Sequence, residues 1–186
     1  DTWGDTDTEK KTLPKSSGHY YLVCDIKVNA STEVSDKADL VLCLNGYTID
    51  GSGKNTIYRV GGSAKLTVSD CTAYTDDAGS YHAGTIRNGK HTGGVGGGFY
   101  VYGDAQLTMH SGIIADNRNT TTNTNAADDG YSGGGMHIRG NAKVALNGVL
   151  FTGNTSAREG GAICIRSATS ELVADSCTFL NNRAGV

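Results

Sequence analysis

With one proline in 186 residues the chain is neither a proline-rich linker nor a collagen repeat. No apolar run approaches the ~20 residues that a membrane helix needs, and no charged-then-apolar export signal precedes Trp3. Charge of one sign is also scarce. Sixteen Lys and Arg against nineteen Asp and Glu leave a net charge of −3, with no basic block able to track a phosphate backbone. Neither nucleic acid nor a membrane is therefore expected as a partner. The five cysteines (Cys24, Cys43, Cys71, Cys164 and Cys177) are odd in number and form no C-x-x-C pair, which supports neither a zinc site nor a dense disulfide framework. They are expected to pack as small buried hydrophobes.

What is present is glycine, 27 residues of it, and a hydrophobic share of 37%, which suits a long thin core with many tight turns. Three segments align with one another: Gly96 to Gly103, Gly133 to Gly140 and Gly160 to Ser167. Each is followed by an alternating piece (Leu107-Thr108-Met109, Val144-Ala145-Leu146, Leu172-Val173-Ala174) and then by a closing piece with an apolar residue three positions before an asparagine. The closing pieces are Ile114 to Asn117, Phe151 to Asn154 and Phe179 to Asn182. Tyr58-Arg59-Val60, Leu66-Thr67-Val68 and Thr85 to Asn88 form an earlier unit. Tyr20 to Ile26, Leu40 to Leu44 and Thr48-Ile49-Asp50 form the first. Leu66, Leu107, Val144 and Leu172 lie 41, 37 and 28 residues apart, so the strands keep register while loops absorb the difference.

Three short strands cannot bury an apolar face alone, but stacked coils can. The expectation is an all-β chain: one right-handed parallel β-helix domain of about five coils over 1–186, with 1–18 as an N-terminal cap region. A propeller blade would need four antiparallel strands, and a leucine-rich repeat a spacing that is absent. The chain is expected to be part of a larger secreted protein.

Gly160-Gly161-Ala162-Ile163 and the F-x-x-N segments at 151–154 and 179–182 resemble the GGAI and FxxN motifs of polymorphic outer-membrane protein repeats, which are β-helical. Leu42 to Ile49 resembles the opening coil of secreted β-helix modules from gut bacteria. The chain as a whole looks most like the β-helical carbohydrate-binding modules attached to bacterial xylanases. That resemblance implies a non-catalytic sugar-binding protein for a plant cell-wall polysaccharide such as xylan, outside the cell or on its surface, with a catalytic domain in the same polypeptide.

Alternation within the first strands sends Phe99, Val101, Met136, Ile138, Ile163 and Ile165 inwards and their neighbours outwards. One outward column stacks Arg59, Tyr100, His137 and Cys164; the next stacks Gly61, Tyr102, Arg139 and Arg166. Aromatic rings stack on the C–H face of a pyranose while Arg and His bond its hydroxyls, so these columns are the candidate ligand wall. Loops at Thr72 to Ala83, Lys90 to Val95 and Arg118 to Ser132 could wall a groove beside it with Tyr74, Tyr81, His82, His91, Asp128, Asp129 and Tyr131. Asn88, Asn117, Asn154 and Asn182 are expected to stack as a structural ladder at one turn.

The outward columns contain no Asp or Glu, so no catalytic residue is assigned and an enzyme is not expected. No cofactor is expected either; the loop pairs Asp76-Asp77 and Asp128-Asp129 leave only a loop calcium open. A surface adhesin or spacer is the first alternative, and a polysaccharide lyase or glycoside hydrolase the second. Cys71 and Cys177 stand three coils apart, ~14 Å, too far to bridge, whereas Cys24 and Cys43 share a coil.

Overall fold

Alternation makes the strands. In Lys143–Asn147, Val144 and Leu146 are buried while Lys143, Ala145 and Asn147 face solvent, and Leu66 and Val68 are buried in the same way in Lys65–Ser69. The computed structural model describes residues 2–3, 13–122 and 133–185, and among them it is all-β, with no helix.

Among the described residues one seven-stranded sheet runs in the order Thr2–Trp3, Gly18–Leu22, Asp39–Cys43, Lys65–Ser69, Gln106–Met109, Lys143–Asn147, Glu171–Asp175. A six-stranded sheet joins Ile26–Lys27, Thr48–Asp50, Thr85–Arg87, Ile113–Ala115, Leu150–Thr152 and Thr178–Leu180. A five-stranded sheet joins Thr32–Val34, Tyr58–Val60, Phe99–Val101, Met136–Ile138 and Ile163–Ile165. A four-stranded sheet joins Lys90–His91, Arg118–Asn119, Thr155–Ser156 and Arg183–Ala184. Pairing within all four is parallel. The chain visits the sheets in turn and re-enters each one strand further along, which is compatible with the β-helix expected from the repeats.

Like side chains therefore stack on like at the ~4.8 Å strand spacing. Leu40, Leu66, Leu107 and Val144 form one buried column, and Ile49, Ile86, Ile114 and Phe151 another, each residue at most 2% exposed. Tyr58 and Phe99 stack at 6.1 Å between ring centroids. Phe99, Val101, Met136 and Ile138 point inwards as expected. Ile165, Phe179 and Leu180, on the last strands of their sheets, are exposed.

Four expectations need correction. Gly18–Leu22 pairs directly with Asp39–Cys43, so Tyr20 and Leu42 are register neighbours in one sheet and not two walls of one unit. Lys90–His91 and Arg118–Asn119, read as loop, are strands of the four-stranded sheet, too short for alternation to reveal. In the asparagine ladder the residue aligned with Asn117 is Gly89: Asn88 pairs with Asp116, and both have positive φ, at 55° and 53°. Cys43 is bonded to Cys71, with Cα atoms 6.2 Å apart, because Cys71 follows the strand next to that of Cys43; Cys164 and Cys177 are free thiols.

The disulfide closes a 28-residue loop. Its removal in a Cys43→Ala/Cys71→Ala variant is expected to lower stability by about 3 kcal/mol. Urea unfolding with and without reductant measures this, and an unchanged midpoint would show that the bridge contributes nothing.

Candidate functional site

The outward column expected from the sequence exists as backbone register: Arg59, Tyr100, His137 and Cys164 are aligned across four adjacent strands. It is not an open wall. Tyr100 is 6% exposed and His137 0%. The glycine-rich entry to the strand doubles back over this face, and the Nδ1–H of His137 donates to the Gly94 carbonyl at 2.9 Å. A Cβ on Gly96 would stand 2.2 Å from the Phe99 carbonyl oxygen and 2.7 Å from the His137 amide nitrogen, so only glycine permits this approach. Burial, with the charge of Arg166 adding to it, pushes the His137 pKa down to about 4, and Nε2 is buried without a hydrogen-bond partner. The ring is neutral.

The open part of this face is a clasp. Glu33 heads the Arg59 column, which corrects the expectation that the outward columns carry no carboxylate; the strand Thr32–Val34 has no repeat motif to reveal it. Arg59 Nε meets Glu33 Oε2 at 2.8 Å, and the Tyr102 hydroxyl donates to Glu33 Oε1 at 2.5 Å. Tyr102 lies across Gly61, where a Cβ would be 2.2 Å from the ring, and stacks on Tyr100 at 4.5 Å. The Arg59 guanidinium sits 5.2 Å and 5.7 Å from the two ring centroids. Partial burial lowers the Arg59 pKa, but hydrogen bonds with Glu33 and Tyr102 outweigh it and raise it; burial and then Glu33 raise that of Tyr102. Arg139 and Arg166 continue the Tyr102 column and are half-buried and engaged. Asp128, Asp129 and Tyr131 lie outside the described residues.

A second feature lies on another side of the molecule. Tyr74–Thr75 and Tyr81–His82 form an antiparallel hairpin that projects from the sheets. Its turn is built by Asp76, whose Oδ1 accepts from Ala78 N at 3.0 Å and Ser80 N at 2.8 Å while Oδ2 meets His82 Nε2 at 2.8 Å. The His82 contact and the amide donors lower the Asp76 pKa. The base is held by Asp70, only 7% exposed, which accepts from Gly46 N at 3.0 Å, from Thr72 N at 2.7 Å, from the Thr72 hydroxyl at 2.8 Å and from Gly84 N. Burial raises the Asp70 pKa, yet these four donors outweigh it and lower it. With the Cys43–Cys71 bridge beside it, the hairpin is fixed at its root.

On this support Tyr74 is 57% exposed and stacks on His82 at 4.8 Å. The Tyr81 hydroxyl accepts from Gly112 N at 3.1 Å. A cleft of about 300 Å³ lies on one side, lined by Thr72, Tyr74, Tyr81, His82 and Ile113, and one of about 520 Å³ on the other, lined by Thr75, Ser80, Tyr81, Leu150, Thr178 and Leu180. Ile113, Leu150 and Thr178 are in register in successive strands, so the clefts share a floor that crosses the strands. Tyr74, Tyr81 and His82 were expected to wall a groove beside the Tyr100 columns; they line clefts away from those columns instead, because the hairpin stands over the sheet of Ile113, Leu150 and Thr178. Their pairing was signalled by Asp76-Asp77-Ala78-Gly79 between two Tyr-containing dipeptides. Among the described residues no group of three or more His, Cys, Asp or Glu is gathered that could hold a metal ion. No family model matches the chain, and no curated protein or solved structure is significantly similar to it.

Proposed function

We propose that the chain is a single right-handed parallel β-helix domain of about five coils that binds an extended plant cell-wall polysaccharide, xylan in the first instance, without cleaving it. The sheet orders support the coil reading, and the near-universal hand of parallel crossovers supports the right-handed one. The observation that carries the binding reading is Tyr74, an exposed ring locked against His82 on a hairpin fixed at both ends, above a groove that crosses successive strands. Such a ring stacks on a pyranose face, and the hydroxyls of Thr72, Ser80 and Thr178 reach sugar hydroxyls from the groove. The support is pre-organised, so little ordering entropy opposes binding.

Among the described residues lining the two clefts there is no Asp or Glu, whereas hydrolysis of a glycoside generally uses a pair of them. That favours binding over cleavage. The Cys43–Cys71 bridge favours an oxidising compartment, hence an extracellular or cell-surface setting beside a catalytic domain such as a xylanase.

Tyr74→Ala is expected to weaken xylan binding roughly tenfold or more, as loss of a central aromatic contact does. Tyr102→Phe keeps the ring stack on Tyr100 and removes only the hydroxyl's bonds to Glu33 and Arg59, away from the groove, so affinity should hold. Retardation in polysaccharide-containing gels measures both. The opposite order of effects would move the site to the Glu33–Arg59–Tyr102 face.

A further inference from the structure

The four-stranded sheet plays no part in the groove. In its two middle strands the second residue turns inwards: Asn119 and Ser156 are buried, and the Asn119 amide donates to the carbonyls of Gly93 at 2.6 Å and Val95 at 2.7 Å. The first residue faces out. Lys90, Arg118, Thr155 and Arg183 thus stand in one register column. Arg118 and Arg183 are exposed and Lys90 half-exposed. Among the described residues none of these three cations has an ion pair, in contrast to Arg59 with Glu33, Arg87 with Asp50 and Lys143 with Glu171.

Like charges directly opposite one another on parallel strands destabilise a sheet, and Lys90 is opposite Arg118. Folding alone gives no reason for that pair. A shallow cleft of about 220 Å³ opens beside them, lined by Ser52, Asn88, Lys90, Asp116 and Arg118. Its one carboxylate, Asp116, reaches across to the neighbouring Gly153, where a Cβ would meet it.

We propose that this column is a second binding face that takes the carboxylate groups of a uronate-bearing polysaccharide. The inference rests on the polysaccharide reading above and names the chemistry of the ligand's side groups. Lys90 and Arg118 are one strand apart, ~4.8 Å, and Arg118 and Arg183 two, ~10 Å, spacings comparable with one and two sugar residues along a chain. Arg meets a carboxylate through two parallel N–H bonds, a planar match that a diffuse cation cloud lacks. With a net charge of −3 the protein as a whole repels a densely charged polyanion, so a sparse line of carboxylates fits this column better than a nucleic acid.

The test compares the wild-type protein with an Arg118→Glu/Arg183→Glu variant, whose altered positions are exposed, by gel retardation and calorimetry. The probes are neutral arabinoxylan, glucuronoxylan, carboxyl-reduced glucuronoxylan and inorganic polyphosphate; far-UV circular dichroism checks the variant's fold. Wild type should bind glucuronoxylan about fivefold tighter than its carboxyl-reduced form, the upper end for one exposed ion pair. The variant should lose that preference, and added salt should shrink it.

A wild type blind to carboxyl reduction, or a variant that keeps the preference, overturns the proposal while neutral xylan binding leaves the groove standing. Retention of glucuronoxylan alone, lost in the variant, upholds the column and removes the groove. Polyphosphate bound as well as glucuronoxylan shows that the column reads charge alone and overturns the uronate assignment. No retention of any polysaccharide overturns both readings.

Discussion

Asn154→Ala is expected to lower the stability of the fold by about 3–5 kcal/mol, because several buried groups lose their partners together. Asn154 is fully buried. Its Oδ1 accepts from the Asn117 backbone N and from Asn117 Nδ2, both at 3.1 Å, and its Nδ2 donates to the Ile114 carbonyl at 2.8 Å and to Asn182 Oδ1 at 2.9 Å. Asn117 repeats the pattern towards Ile86, and Gly89 N starts the series at 2.9 Å from Asn117 Oδ1. Truncation strands the Asn117 amide and the Ile114 carbonyl in the interior and cuts the ladder in its middle. Urea unfolding measures the loss, with the exposed Asn147→Ala as a control that should stay within about 0.5 kcal/mol of wild type. A comparably small loss in Asn154→Ala would mean that water replaces the ladder.

The second large effect depends on pH. The His137 imidazole titrates at about 4 in the folded protein, where burial disfavours its charged form, against about 6.5 when unfolded. Between these values the unfolded chain holds a proton that the folded chain does not. Stability is therefore complete above about pH 6.5 and falls as the pH drops towards 4, by about 3 kcal/mol in all. Carboxylates also titrate in this range, so the informative quantity is the difference between wild type and His137→Gln. The two stability curves should converge as the pH falls from 6.5 to 4; parallel curves would show that His137 has the same pKa folded and unfolded.

Much of the fold was readable because register leaves a signature. A one-residue slip would turn every apolar side chain outwards, so the alternation around Leu66, Leu107, Val144 and Leu172 fixed one wall. Two-residue strands carry no such signature, and Lys90–His91 and Arg118–Asn119 passed as loop. The same limit hid the cation column.

Alternation also tells which side chains leave the core but not what covers them afterwards. Tyr100 and His137 do leave the core, and are then covered, His137 by the backbone at Gly94 and Tyr100 by Tyr102 and Arg59. Cys43 and Cys71 were separable from Cys24 only by knowing which strands are adjacent. Tyr74, Tyr81 and His82 could be named from their loop but not assigned to the right side of the molecule, while Asp70, which fixes their support, gave no signal beyond a polar residue at a strand end.

The most direct test of the central claim is gel retardation of the wild-type protein by soluble xylans, glucans, mannans and pectins, with product analysis of the same mixtures. The expected result is retardation by xylan with the polymer left at full length. Shortened or unsaturated oligosaccharides would contradict it in favour of an enzyme, and passage through every gel unretarded would contradict it in favour of an adhesin or spacer.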